Sequence, residues 1–188
     1  MKTKIIYSTF LCLLILGMAM PGAAFAHEHG HGYGLQYTAT YNGTVLDTSF
    51  DPNGDTFPVD VVRGSGKGTF GQSDTVIATE FAPDVTGTLC ESQDDFRLTV
   101  DHAHGVSTYS MGEQLYFSSV EGYLCLDLVT GDFEGLATGE FDGGTGRFAN
   151  AHGNFESRFS GRNLTVPAGL PYGFGSINGS TTGTLYLK

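Results

Sequence analysis

The chain of 188 residues carries 20 Asp and Glu against 9 Lys and Arg, a formal charge of −11. Such a balance, with no basic cluster anywhere, repels phosphate backbones and anionic lipid and argues against a nucleic-acid partner. Beyond the N-terminal leader no apolar run is long enough to span a bilayer, which argues against stable membrane insertion by a helix.

In chain order, residues 1–26 read as an export signal. Lys2 and Lys4 form a basic start, Ile5 to Met20 an apolar core and Ala24-Phe25-Ala26 a small-x-small cleavage site. The expected compartment is secreted or periplasmic, and losing two lysines takes the formal charge from −11 to −13. Residues 27–33 form a flexible His/Gly-rich N-terminus, and 34–188 a single β-barrel domain. Cleavage after Ala26 leaves His27-Glu28-His29-Gly30-His31 at the terminus. A free amine, two deprotonated backbone amides and an imidazole at the third position make a square-planar nitrogen set that suits Cu(II) or Ni(II). His27, His29 and His31 are therefore the metal candidates, and copper or nickel is the one cofactor the sequence suggests.

From Tyr33 onward, short β-type runs alternate with Gly, Asn and Asp turns, and no 3.6-residue apolar period persists. Candidate strands are Gly34 to Tyr41, Val59 to Gly71, Thr75 to Phe81, Val85 to Glu91, Asp95 to His102, Gln114 to Ser119, Tyr123 to Val129, Phe133 to Phe141, Arg147 to Phe159 and Gly175 to Leu187. Some of these ten are expected to be halves of one bent strand. The class is all-β, and the 28 glycines suit the corners of a single antiparallel β-barrel of roughly eight strands. Two turn-rich segments, Asp47 to Pro58 and Leu164 to Tyr172, are expected to rim its mouth. Asp51-x-Asn53-x-Asp55 resembles the start of a calcium loop but lacks its glycine at position six and its glutamate at position twelve. Cys90 and Cys125 form an even pair in a chain bound for an oxidising compartment and are expected to form a disulfide, the alternative being two buried thiols.

Three sets of residues can carry function. In Asp101-His102-Ala103-His104, counting alternation along the strand puts Phe96, Leu98, Val100, His102, His104 and Val106 on one face. If that face is the interior, His102 and His104 approach the mouth as metal ligands or as acid and base, with His152 able to join them. One of Glu80, Glu113, Glu121 and Glu140 can supply a pocket acid. The 14 Phe and 9 Tyr either fill the interior or line a cavity, with Phe96, Leu98, Tyr116 and Phe148 the candidate ligand contacts.

The densest punctuation is Gly139 to Phe159, where Gly143-Gly144-Thr145-Gly146 marks a reversal between two extended runs. This segment resembles the GGTGxFxxAxG hairpin of dirigent proteins and a similar turn in plant allene oxide cyclases. Gly143, Gly144, Thr145, Gly146, Phe148, Ala151 and Gly153 carry the likeness. It implies a calycin-like barrel of the kind that holds a hydrophobic substrate and steers ring closure or radical coupling by shape. Neither the dirigent N-terminal motifs nor the catalytic residues of the cyclases have counterparts here. The first expectation is an exported barrel that binds a small hydrophobic molecule without turnover. A cyclase or isomerase acting on a hydrophobic substrate, and copper or nickel binding through the N-terminal His-Glu-His, are the alternatives. An oligomer is compatible with all three.

Overall fold

A computed structural model describes residues 34–48, 59–86, 88, 90–91, 95–165 and 173–188. The export signal, His27, His29 and His31, and the Asp51–Asp55 motif lie outside them.

Eight strands account for most of the described chain: β1 (Leu35–Asp47), β2 (Val59–Gly68), β3 (Gly71–Pro83), β4 (Phe96–Tyr109), β5 (Gln114–Leu126), β6 (Phe133–Gly144), β7 (His152–Thr165) and β8 (Gly173–Tyr186). Each pairs antiparallel with its sequence neighbours, and β1 pairs with β8 from Leu35↔Leu185 to Asp47↔Gly173, which closes the barrel. Closure leaves none of the eight an unpaired edge, so a glycine-rich sheet is protected from pairing with other chains. Strand β1 shows the alternation that orients the wall: Tyr37, Ala39, Tyr41 and Val45 turn inward, and Thr38, Thr40, Asn42 and Thr44 face water.

The two ends differ. At one, short connections join β2 to β3, β4 to β5 and β6 to β7, and Tyr37, Tyr109, Leu115, Phe141, Phe148, Phe155 and Leu185 pack into a cluster that closes the barrel. The GGTGRF segment builds this floor. Gly143 (φ 93°) and Gly146 (φ 58°) turn the chain through left-handed backbone that side chains disfavour. The Thr145 hydroxyl accepts from the Gln114 amide at 2.9 Å, which ties the turn to β5. A 3-10 turn (Gly146–Phe148) then drives Phe148 into the floor, where it is wholly buried. Arg147 lies over the rings of Phe70, Tyr109 and Phe148 at 4.9–5.6 Å and pairs with Glu113 at 3.1 Å, capping the floor from outside. The return strand thus begins at His152, five residues after the Arg147 expected from sequence, because this turn intervenes.

At the other end the connections 48–58, 84–95, 127–132 and 166–172 leave the strands. The expected strand Val85 to Glu91 is not one: Val85, Thr86, Thr88, Cys90 and Glu91 lie outside any strand. This connection is held to the outer wall at both ends. Asp84 pairs with Arg97 at 2.6 Å, and Cys90 is joined to Cys125 of β5 by a disulfide. Arg97 also stacks on Tyr123, 4.0 Å from the ring centroid. Hydrogen bonds from Thr86 and then the Arg97 guanidinium hold the Asp84 carboxyl below the usual carboxylate range.

The expected runs Gln114–Ser119 and Tyr123–Val129 are one strand with a register shift between Ser119 and Glu121. Beside it, β4 carries one extra residue relative to β3: Phe81 pairs with Val100, and Glu80 with His102. Asp101 is the residue left over, and this bulge reverses the phase of everything after it.

Candidate functional site

Between the floor and a second cluster of Val45, Val62, Leu124, Phe133 and Ile177 the barrel encloses a cavity of about 110 Å³. It exists because small side chains meet at one height of the wall. Ala103, Ser107, Ser119, Ala137, Ser157 and Thr181 come from five strands and all face it. Tyr37, Phe117, Phe141 and Phe155 close it below, and Ile77, Phe81, Phe133, Phe159 and Leu164 are among the residues above.

Glycines make the aromatic lining possible. At Gly105 an added Cβ would strike the Phe117 ring, and at Gly139 the ring of Phe155. The rings therefore lie flat against the neighbouring strand and leave the centre open.

The hydroxyls in the wall satisfy one another. Thr75 and Ser107 share a hydrogen bond of 2.8 Å, Thr181 donates to Ser157 at 3.1 Å, and Tyr41 also bonds Ser157. Among the described residues no buried side-chain polar atom lacks a partner. A molecule entering this space meets mostly carbon, with the hydroxyls of Tyr41, Thr75, Ser107, Ser157 and Thr181 already in use, which favours a largely apolar occupant.

Among the described lining residues one is ionisable as an acid near neutral pH. Asp60, near the start of β2, faces the cavity and is hydrogen-bonded to Asp47, its register partner at the end of β1. Burial, followed by the neighbouring Asp47 charge, pushes the Asp60 carboxyl up from 3.8 to about 7. Asp47 is also raised by burial. Two carboxyls in contact in a partly dry site share a proton, since both cannot ionise cheaply.

The histidines expected at the mouth are elsewhere. Leu98 and Val100 point inward as counted, but after the bulge at Asp101 the interior row resumes with Ala103 and continues through Ser107 and Tyr109. His102 and His104 are therefore on the outer face and exposed, so neither is an interior acid or base. His152 is exposed at the closed end, stacked on Tyr186 at 5.2 Å with its Nδ1 3.1 Å from the Asn150 carbonyl, and does not join them. None of the four candidate ligand contacts is among the residues lining the cavity. Phe96, at the first position of β4, is 43 % exposed and lies beyond the cavity, Tyr116 (38 % exposed) faces out, Leu98 packs in the upper cluster and Phe148 plugs the floor.

The glutamates do not reach the cavity either. Glu113 belongs to the Arg147 cap, Glu140 is exposed, and exposed Glu121 accepts from Thr138. Glu80 is buried, but it alternates with the lining residues Thr79 and Phe81 and so points outward. There Glu80, Asp101 and His102 each bring one ligand atom to within 4.8 Å of the others. Two carboxylates and an imidazole can hold a divalent metal such as zinc or manganese. Asp101 and His102 are exposed, however, and Glu80 has a further interaction of its own.

Sequence reasoning passed over Asp47 and Asp60. The signal was present in the alternation: Asp47 continues the inward row of Val45, and Asp60 that of Val62. Reading Asp47 as the start of a loop concealed it. No protein-family profile, curated protein or solved structure matches this chain.

Proposed function

We propose that this barrel binds a small, largely apolar molecule in its interior and releases it unchanged. The observation that carries the reading is the cavity itself, walled by aromatic and aliphatic side chains and by hydroxyls that already have partners. At about 110 Å³ it suits a molecule of one ring. Apolar cavities of roughly 150 Å³ take benzene or xenon. The disulfide fits an oxidising compartment, in keeping with an exported protein.

Ala137 lines the cavity and is 8 % exposed, so its replacement by phenylalanine would place a ring where the ligand sits. The expected outcome is a variant that keeps its β spectrum and loses binding of ring-sized apolar probes such as toluene or indole. Equal binding by Ala137→Phe and wild type would reject the cavity as the site.

A second reading, an isomerase or cyclase, is favoured by one feature: the Asp47–Asp60 pair holds and exchanges a proton near neutral pH. Mass spectrometry of a bound molecule before and after incubation separates the two. Recovery of the unaltered molecule supports binding alone, and an isomer supports turnover.

A further inference from the structure

Resting on the interior-binding reading, we propose that the ligand carries a protonated amine, seated with its ring in the cavity and its N–H groups donating to the Asp47–Asp60 pair. Three observations converge on this class. Among the described residues Asp60 is the one charged side chain lining the cavity, and no Lys, Arg or His is among them. A carboxylate ligand, such as a fatty acid, would find no cationic partner and would meet Asp60 head-on. The pair also stands at the strand ends from which 48–58 and 166–172 leave, opposite the aromatic floor, so an occupant meets a carboxyl at one end and rings at the other. Phe81, Phe133 and Phe159 line the same space, so aromatic rings as well as the carboxyl are available to a cation held there.

Below about pH 7 the pair holds a proton that an entering ammonium has to displace, and above it the pair is free to meet the ammonium as a carboxylate. Amine affinity should therefore rise as pH climbs from about 4 toward about 7. Among the described residues, the groups around Asp60 leave this assignment to the pair. Asp47 faces it from β1, and the partner of Asp47 on β8 is Gly173, which has no side chain. On β3 its register partner is Thr79, Glu80 points to the outer face, and Tyr41 on β1 does not ionise in this range because burial raises its pKa.

Benzylamine, benzyl alcohol and benzoate share a ring and differ in charge, so titration of the protein with each at pH 8 and pH 5 tests the inference. We expect benzylamine to bind at least about tenfold more tightly than benzyl alcohol at pH 8, a difference of about 1.4 kcal/mol. The ratio should shrink at pH 5, and benzoate should not bind. Asp60→Asn should bring the ratio close to one. Asp74→Asn, which removes an exposed acid from the outer face, should leave it alone and so corrects for overall charge. If benzyl alcohol matches benzylamine, or benzoate binds, the amine inference is overturned while the cavity reading stands. If no ring-bearing probe binds, both fall. Should Asp60→Asn not fold, the pH dependence in the wild-type protein decides alone, and a ratio that is the same at both pH values counts against the proposal.

Discussion

Asp60 and Gly105 are the residues on which the interior depends, for opposite reasons. Asp60 is a liability to the empty fold. Its folded pKa, about 7, exceeds the ordinary 3.8, so between those values the folded chain retains a proton that the unfolded chain releases. Stability therefore falls as pH rises through that window and stays reduced above it. Asp84 and Asp127 have depressed values and act in the opposite sense, losing their contribution in acid, but they are common to wild type and variant and cancel in a comparison. Asp60→Asn should thus gain stability relative to wild type at pH 8 that it lacks at pH 4, read from urea midpoints. A wild-type-to-variant difference that is constant across the two pH values would contradict the assignment. Gly105 in turn supplies room. A methyl group there would strike the Phe117 ring at the edge of the cavity. Gly105→Ala should cost about 1–3 kcal/mol, the range for forcing a side chain from its packed position, and should push the Phe117 ring toward the cavity. Val120→Ala on the exposed outer surface should cost little, and equal losses at the two sites would refute the steric account.

Among the elements, the hairpin around Gly143–Gly146 and the connection 84–95 show what a sequence does and does not reveal. The hairpin was legible because its glycines are dictated locally, by backbone that must turn left-handed at Gly143 and Gly146. The β4 bulge was not. Alternation placed Leu98 and Val100 correctly and then carried His102 and His104 to the wrong face, since one unpaired residue at Asp101 reverses the count. The need for that residue arises from pairing with β3, which lies twenty positions away in sequence and leaves no local mark. Val85 to Glu91, within the connection 84–95, resembles a strand in composition, yet the Asp84–Arg97 pair and the Cys90–Cys125 disulfide fasten the connection to the outer wall. Removing the disulfide frees a 35-residue separation and should lower stability by about 3–4 kcal/mol. The eight-strand ladder does not pass through Cys90, so Cys90→Ser with Cys125→Ser should retain a β-type circular dichroism spectrum while melting at a lower temperature. A double variant with unchanged melting temperature would show that the connection is held by other contacts.

For the molecule as a whole, the all-β class followed from turn spacing and alternation and the barrel from the glycines placed for its corners together with the hairpin resemblance, whereas the hollow interior did not. A cavity forms where small residues from several strands meet at one height. That coincidence depends on the stagger of the strands, which no single stretch of sequence encodes. Ala103, Ser119, Ala137 and Ser157 are unremarkable one by one and become a site only when β4, β5, β6 and β7 are in register. The same stagger separates the apolar floor from the acidic mouth and gives the interior a direction. The central claim is that a ring-sized molecule occupies this space, and a methyl-resolved NMR titration with indole tests it most directly. Saturable shifts at cavity-lining methyls such as those of Val62, Leu124 and Ile177, absent in Ala137→Phe, are the predicted result. Shifts at the exposed methyls of Val120 and Val129 with those three unmoved would contradict it.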